Sequence, residues 1–498
     1  MPGVVPLYWE LSPLRRYLPY CTIAIAVSGL YLYHLDGVGV VSSDEPRYAA
    51  IGRAMAQTGD FVTPRLWGSP WFEKPPLLYW MTAAGSGLGL NPDLAGRLPV
   101  ALLSLVFLAV TFWLVKAEFG AQTGGIAAML CATCAGWLAY SSFCLTDIPL
   151  AVFFSLPVFL ALPLLREDPD RRRLRCRFAL IGVCLALGML AKGLVPIALA
   201  VPFAWFLRRY GRCWWISIAT GAAVALPWYL AVYARNGYPF IEEFFVRHHF
   251  ERLYSASLQH VQPWYYYVPV LLAGLFPWTP LLGLLALTGV RWDRRRQFLA
   301  SVVVFGLVFF SVSLNKLPGY ILPVIPALFT LIAAQLEKKS LPQVNKAWLL
   351  ACALLIALIP LVASILPGLL TAGRFSVTAL NGFNRTAAFY IVIPVIVVVL
   401  ARRSWAAPLL VLCVVAGGIY VKAVCYPVLD RQYSARGLWR KIQPISPQLC
   451  DGGTNRDWIY GLNFYRGSQI PGCREGKPGF ALKSLGRAQP SVTPFGSP

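Results

Sequence analysis

The sequence predicts an all-α polytopic membrane protein with about thirteen transmembrane helices and a small α/β segment at its C-terminal end. Of its 498 residues, 57% are hydrophobic and only 13% are charged, whereas a soluble protein carries roughly 25% charged residues. Apolar stretches long enough to span a bilayer follow one another along most of the chain. This composition excludes a disordered chain, a collagen-like repeat and a small disulfide scaffold.

The charge balance is strongly basic, with 44 Lys and Arg against 21 Asp and Glu, a formal net charge of +23. In a soluble protein such an excess would indicate nucleic acid binding. In a multispanning protein, Lys and Arg gather in the short cytoplasmic loops, so we expect no nucleic acid partner. Long continuous apolar runs also disfavour a β-barrel, whose strands alternate over about 10 residues.

The first predicted span covers residues 17–33 and follows Arg15 and Arg16. No small-residue cleavage site follows it, which indicates an uncleaved anchor that starts translocation. The remaining predicted spans are 98–115, 121–141, 147–165, 178–191, 194–207, 213–233, 263–290, 298–313, 320–336, 347–367, 388–401 and 405–426.

The Lys and Arg pattern sets the predicted orientation. A cytoplasmic N-terminus places the clusters RLRCR, RRYGR, RWDRRR, EKK and RRS inside the cell. The alternate short connections carry few basic residues, namely Lys192, Lys316, Arg374 and Arg385. The positive-inside rule therefore predicts a cytoplasmic N-terminus and an outside C-terminus.

Three outside segments are too long and polar to be simple turns: 34–97, 234–262 and 427–498. We divide the chain into a transmembrane domain, 1–426, and a small outside domain, 427–498. The first two segments form the predicted working face. Pro75 and Pro76 forbid a regular helix at their position.

The tail carries two predictions of its own. The Tyr and Phe pattern of residues 460–467 favours a short strand. Cys450 and Cys473 are the only cysteines of the tail, and they pair if the compartment is oxidising.

Two outside acids are candidates for chemistry. Asp44 is either a solvated loop acid or a functional group, and Asp147 is either a helix N-cap before Pro149 or a functional group. Two acids from separate loops on one face would suit general-base catalysis, or binding of a cationic or polyhydroxylated substrate.

Four outside cations are candidates for binding an anion: Arg47, Lys74, Lys192 and Lys316. Their alternative role is to snorkel, with the stem in lipid and the charge at the interface. Lys74 and Lys316 each precede a proline-containing turn, and irregular backbone at membrane depth requires a cavity or a protein environment. We therefore expect a phosphate attached to a lipid as their ligand.

One outside segment holds His248, His249 and His260, with Arg252 among them. This spacing completes no standard zinc set, so interfacial histidines are one interpretation. The other is a metal site shared between His249 and a carboxylate such as Glu73.

An ordered series of motifs resembles one enzyme family. Together they are similar to the bacterial 4-amino-4-deoxy-L-arabinose lipid A transferases and the wider protein mannosyltransferase-like group. The resemblance covers about residues 15–430. The motifs are DEPRYA at 44–49, FEKPPLLYW at 72–80, Asp147, LAKG at 190–193, PWYLAV at 227–232, HFERL at 249–253, PWYYY at 263–267 and KLPGYILP at 316–323.

The resemblance implies the GT-C glycosyltransferase fold with thirteen spans and a set of site residues. Asp44 and Asp147 would line the catalytic cavity. Lys74 would bind the donor phosphate with Arg47, Tyr48 and Tyr320 nearby, and Lys316 and Arg252 are further phosphate-binding candidates. Glu73 and His249 match the family's zinc positions, so zinc is the one cofactor that it implies. Leu253 stands where the family has Phe.

The implied activity is transfer of a sugar, first of all aminoarabinose, from undecaprenyl phosphate to lipid A. It would take place in the bacterial inner membrane, at the periplasmic face, with inversion at C1. The family's C-terminal domain is larger than the tail here, so a protein or another envelope glycan stays open as acceptor. The non-enzyme alternative is a lipid-sugar flippase.

Overall fold

The computed structural model describes residues 11–166, 169–251, 261–286, 292–336, 342–372, 388–401, 403–475, 478–486 and 488–495. Most of them are helical. The α-helices are α1 (Leu11–Leu32), α2 (Asp44–Thr58), α3 (Leu77–Gly87), α4 (Pro92–Phe119), α5 (Ala121–Thr133), α6 (Ala135–Tyr140), α7 (Asp147–Ala161), α8 (Arg171–Lys192), α9 (Val195–Leu199), α10 (Val201–Phe206), α11 (Trp214–Asn236), α12 (Tyr238–Ile241), α13 (Tyr267–Gly274), α14 (Arg294–Val312), α15 (Ile325–Leu336), α16 (Pro342–Ala357), α17 (Ile359–Ala372), α18 (Ala388–Leu400), α19 (Arg403–Gln432), α20 (Ala435–Ile442) and α21 (Arg456–Arg466).

Tighter and wider helical turns extend several of these helices. Short 3-10 helices cover Leu162–Leu165, Arg208–Cys213, Trp264–Tyr266, Thr279–Ala286, Pro318–Val324 and Gln443–Gln448, and a π-helix covers Glu242–Glu251. The strands are β1 (Arg65–Leu66), β2 (Ser69–Pro70), β3 (Leu449–Asp451), β4 (Phe480–Lys483) and β5 (Ser491–Pro494).

Seven of the described helices are long and apolar enough to cross a membrane, and the number rises to nine if each of two bent pairs counts as one span. Several predicted spans are not single helices, and one of them, 121–141, is interrupted at Cys134 between α5 and α6. The 263–290 stretch bends by 111° between residues 274 and 279, and the 347–367 stretch bends by 46°. The 194–207 stretch forms two short helices, because Pro196 and Pro202 each begin a new helical turn.

Two helix breaks face each other inside the bundle. The chain is extended at Cys134, between α5 and α6, and the N–H of Ala135 donates to the carbonyl of Phe276, 2.8 Å away, in the other break. The Trp278 indole N–H donates to Thr133 at 3.0 Å. Irregular backbone is tolerated at membrane depth where protein groups satisfy it, and here each break supplies partners to the other.

The segment between α1 and α4 is more regular than its polarity suggests, because it contains α2 and α3. Asp44 and Glu45 lie in the first turn of α2, where carboxylates are favourable. The helix ends at Gly59, whose positive φ of 71° is typical of a helix C-terminus. α3 begins directly after Pro75 and Pro76, as the prolines predict.

The tail contains helices α20 and α21 and a three-stranded sheet. β3 pairs parallel with β4, and β4 pairs antiparallel with β5. Cys450 and Cys473 form a disulfide, which confirms the pairing considered from the sequence. The predicted boundary at residue 426 lies inside α19, which continues to Gln432.

The predicted strand at 460–467 is wrong, since these residues belong to α21. Asn455 caps the helix by accepting from the N–H of Asp457, and Gly467 closes it with a positive φ of 81°. Trp458, Leu462 and Phe464 lie on its buried side. The aromatic residues therefore follow a helical period and not the alternation of a strand.

Candidate active site

Four charged residues meet at the start of α2. Arg47 forms ion pairs with Asp44 in the same helix and with Glu73, where Nη1 and Oε2 are 2.7 Å apart. The Lys74 ammonium lies 3.2 Å from the other Glu73 oxygen. Arg47, Glu73 and Lys74 are at most 10% exposed, whereas the Asp44 side chain is 35% exposed. The structure thus brings together Asp44, Arg47, Glu73 and Lys74, and it leaves Asp44 the most accessible of the four.

Aromatic rings surround the Arg47 guanidinium. Its Cζ lies 5.9 Å from the ring centroid of Tyr48, 5.5 Å from that of Trp71 and 5.3 Å from that of Tyr460. Burial alone would lower the pKa of Arg47, but the charges of Glu73 and Asp44 outweigh it and the pKa is raised. Burial raises the pKa of the Tyr48 hydroxyl. At neutral pH the site therefore holds a permanent cation beside neutral phenols.

Around Arg47, several hydrogen-bond donors have no acceptor among the described residues. A guanidinium has five N–H donors, and three of those on Arg47 bond to Ser43, Asp44 and Glu73. The indole N–H of Trp71 and the hydroxyl of Tyr79 are buried without a hydrogen-bond partner among the described residues. Buried donors are normally satisfied, so this arrangement suits a ligand rich in acceptor oxygens, such as a phosphate.

A buried ion pair fixes α2 in place. Glu45 receives two hydrogen bonds of 2.7 Å from Arg97 on α4, and its oxygens also accept from the backbone N–H groups of Val41 and Cys144. Arg97 donates in addition to the carbonyls of residues 35, 38 and 39. Glu45 is therefore structural, and it holds the neighbouring Asp44 and Arg47 in position.

A second charged group lies at the start of α7. The Lys192 ammonium donates to Oδ1 of Asp147 at 2.7 Å and lies 4.6 Å from the ring centroid of Tyr320. A β-carbon at Gly319 would collide with Oδ1 of Asp147 and with the Tyr140 ring. The KLPGY turn can approach Asp147 only because Gly319 has no side chain. The N-cap interpretation of Asp147 is wrong, because Thr146 holds the cap position and α7 begins with Asp147 itself.

The two charged groups are joined by one packed interface. Phe72, which precedes Glu73, belongs to a buried cluster with Leu190 of α8 and Trp228 of α11. Leu77 and Trp80 pack against the same cluster. The turn that carries Glu73 and Lys74 is thus packed on the helix that ends at Lys192.

Lys316 has structural partners. Its ammonium donates to the carbonyls of Gln262, at 2.9 Å, and Ser313, at 2.5 Å. Through these bonds Lys316, the first residue of the KLPGY motif, contacts both the end of α14 and the segment that follows residue 260. Phosphate binding by Lys316 stays a prediction.

The zinc prediction concerns Glu73 and His249. Both Glu73 oxygens already face cations, Arg47 and Lys74, and among the described side chains no group of three His, Cys, Asp or Glu residues could hold a metal ion. His249 lies within the π-helix, but its side chain is outside the described part of the chain, and so is Arg252. A zinc site with three protein ligands would therefore need at least one ligand from outside the described side chains.

Sequence reasoning missed Trp71, Arg97, Tyr140 and Tyr460 as residues of the site or its support. Arg97 carried the clearest signal, because it is a charge directly before a long apolar stretch, and such charges are costly unless they are paired. Tyr460 carried no signal, because its contact with Arg47 joins positions far apart in the chain.

Comparisons with known proteins agree with the motif resemblance. Residues 18–238 match the family described as dolichyl-phosphate-mannose-protein mannosyltransferase. The undecaprenyl phosphate-alpha-4-amino-4-deoxy-L-arabinose arabinosyl transferase of Pseudomonas aeruginosa is 32% identical over 338 residues, 64% of this chain and 60% of that relative. The transferase of the same name from Pectobacterium atrosepticum is 31% identical over 328 residues, 63% of this chain and 58% of that relative. The chain thus spans about 60% of the length of the curated relatives that it matches.

The fold has a solved counterpart. The crystal structure of ArnT from Cupriavidus metallidurans bound to undecaprenyl phosphate aligns with a TM-score of 0.72 at 24% identity, over 95% of this chain and 93% of that one. The same protein in the apo state aligns equally well. The resemblance inferred from the motifs is confirmed, and the chain has the fold of these transferases.

Proposed function

We propose that this chain is a membrane glycosyltransferase that takes a sugar from undecaprenyl phosphate, with 4-amino-4-deoxy-L-arabinose as the first choice of sugar and lipid A as the first choice of acceptor. The observation that carries the proposal is the pair of cations, Arg47 and Lys74, held on either oxygen of Glu73 beside the more exposed carboxylate of Asp44. The relatives are named for the same donor and sugar, which supports this choice.

The reaction breaks the bond between C1 of the sugar and a phosphate oxygen. Phosphate is a good leaving group and needs no general acid. Charge develops on the phosphate oxygens as the bond breaks, and Lys74 with the remaining N–H groups of Arg47 would stabilise it. Such preorganised donors contribute several kcal/mol where water is excluded. The acceptor attacks from the opposite face, which gives inversion at C1.

Asp44 and Asp147 take different roles. The partly exposed Asp44 acts as general base for a hydroxyl acceptor; with an anionic acceptor, which needs no base, it orients the sugar. Asp147 is paired with Lys192, so its charge is compensated, and we assign it to binding polar groups of the sugar together with Tyr320. An amino sugar would give both acids a cation to bind.

The proposed setting is the bacterial inner membrane, with thirteen spans, a cytoplasmic N-terminus and the site and tail on the periplasmic side. The Lys and Arg distribution supports this orientation. The Cys450–Cys473 disulfide supports an oxidising compartment for the tail. A zinc ion held by Glu73 and His249 belongs to the same proposal and is tested separately below.

Two alternatives to this proposal are tested with it. The alternatives are a protein or another envelope glycan as acceptor, and a flippase that moves the lipid-linked sugar without cleaving it.

The decisive comparison is mass spectrometry of lipid A from cells that carry or lack this chain. The proposal expects an aminoarabinose-modified lipid A only in cells with the chain. An unchanged lipid A together with a modified protein or glycan would support the alternative acceptor. Movement of the lipid-linked sugar across the bilayer of liposomes that contain the chain, without cleavage of the sugar from its lipid, would support the flippase.

A further inference from the structure

The tail helix α21 lies against α2, the helix that carries Asp44 and Arg47. The Arg53 guanidinium donates to the carbonyl of Phe464 at 2.6 Å and lies 4.5 Å from the centroid of its ring. The Arg456 guanidinium lies 3.4 Å from the Ser43 hydroxyl, at the start of α2. α21 thus contacts the residue before α2 and the helix itself at Arg53.

Buried polar contacts fix this placement. The Tyr465 hydroxyl donates to Asp93 at 2.6 Å and accepts from the N–H of Val40 at 2.9 Å. Arg436 pairs with the same Asp93 at 2.9 Å. Gly39 leaves no room for a side chain, because a β-carbon there would collide with the hydroxyl oxygens of Ser434 and Tyr465. The tail therefore has one defined position over the residues before α2.

This position puts one aromatic ring of the tail on the central cation of the site. Tyr460 lies 5.3 Å from the Arg47 guanidinium, as close as Trp71 at 5.5 Å. Ion pairs with Asp44 and Glu73 hold the nitrogen atoms of that guanidinium. The rings further restrict the orientation of the guanidinium, because a cation is attracted to the face of an aromatic ring.

We propose that α21 completes the active site, with Tyr460 as a positioning residue that holds the Arg47 guanidinium in the orientation that binds the donor phosphate. The inference rests on the proposed function and adds a residue from the tail to it. The tail is then a working part of the site, and not an appended acceptor-docking unit alone.

The test uses the purified full chain in detergent with lipid A as acceptor, and it measures initial rates of undecaprenyl phosphate release against the concentration of the undecaprenyl-phosphate-linked sugar. Tyr460→Leu removes the ring, and Tyr460→Phe keeps it. Phe495→Leu is the matched control, because it removes a ring from the tail that is 49% exposed.

We expect Tyr460→Leu to raise KM for the donor by about 3- to 30-fold, the range that one cation–π contact supplies, with kcat within about twofold of wild type. Tyr460→Phe and Phe495→Leu should match wild type. A wild-type KM in Tyr460→Leu, an equal loss in Tyr460→Phe, or an equal loss in Phe495→Leu would each overturn the proposal.

A second variant pair tests whether the ring acts through Arg47. In an Arg47→Ala background, Tyr460→Leu should cause no further rise in KM. The same fold-change in both backgrounds would show that Tyr460 acts independently, and the positioning role would be wrong.

If the proposed function is wrong, wild type will transfer no sugar at all, and this result is distinct from a change in KM. The contact is in that case tested by heat unfolding of wild type, both single variants and the double variant. Non-additive losses in Tm support the coupling between ring and guanidinium, and additive losses overturn it.

Discussion

Lys192, the last residue of α8, donates to the carboxylate of Asp147, the first residue of α7, at 2.7 Å. The two side chains are 11% and 13% exposed. Gly319 of the KLPGY turn packs directly on the same carboxylate. Three motifs that lie far apart in the sequence therefore meet at one ion pair.

The Gly319 contact predicts a steric effect on activity. Gly319→Ala should force the Asp147 carboxylate away from Lys192, and misplacement of a site residue by about 1 Å can cost on the order of 100-fold in rate. We expect a loss of that size in sugar transfer by the purified variant. Gly87→Ala is the matched control, because a β-carbon there meets nothing within 4 Å. Full activity in Gly319→Ala would show that Asp147 plays no part in the reaction.

The buried Arg97–Glu45 pair predicts a large effect on stability. Both side chains are at most 2% exposed, and removal of one partner leaves a charge without compensation. We expect Arg97→Met and Glu45→Gln each to lower the free energy of unfolding by about 3–5 kcal/mol. Heat unfolding in detergent measures this. The double variant should lose less than the sum of the two, and strictly additive losses would argue against the pair.

The Cys450–Cys473 disulfide predicts a local effect in the tail. It closes a loop with a sequence separation of 23, and replacement of both cysteines by serine should cost about 3 kcal/mol of tail stability. Limited proteolysis should then cleave the tail faster, while the spans remain protected. Cys176→Ser, at an exposed free thiol, is the control. Equal proteolysis of all three proteins would contradict the prediction.

The zinc proposal predicts a defined metal content. If Glu73 and His249 bind one ion, elemental analysis of the purified wild-type chain should find about one zinc per chain, and His249→Ala should lose it. Zinc release should leave the Cys450–Cys473 disulfide intact. Equal zinc content in wild type and His249→Ala, or none in either, ends the proposal.

Hydropathy predicted the fold class but not the shape of every span. Residues 263–290 are uniformly apolar, so the composition could not reveal the sharp bend between residues 274 and 279. The helix α2 was missed for the opposite reason, since its low hydropathy made it resemble a loop. Its buried positions, including Ala49, Ile51 and Met55, are recognisable only once a neighbouring helix covers them.

The motifs predicted candidate residues for the site, and the structure adds how these residues pair. Asp44, Arg47 and Lys74 were candidates from their charge and position alone. Their pairing through Glu73 joins positions 26 residues apart, and such contacts depend on helix packing that no local pattern encodes. The strand prediction at 460–467 rested on the aromatic content of the segment. Tyr460 and Phe464 are four residues apart, however, and this spacing is typical of a helix.

The proposed function depends on Arg47 and Lys74, which would bind the phosphate of a lipid-linked sugar beside Asp44. Its most direct test is the rate at which purified protein releases undecaprenyl phosphate from undecaprenyl-phosphate-linked aminoarabinose in the presence of lipid A. The comparison includes wild type, Asp44→Asn, Lys74→Ala and the control Lys483→Ala, which alters an exposed lysine of the tail.

Wild type and Lys483→Ala should release undecaprenyl phosphate at the same rate. Lys74→Ala and Asp44→Asn should be at least about 100-fold slower, because Lys74 would stabilise the charge on the leaving phosphate and Asp44 would orient the sugar for attack. All four should keep the same unfolding temperature to within a few degrees. Release at the wild-type rate by a folded Lys74→Ala protein would contradict the account.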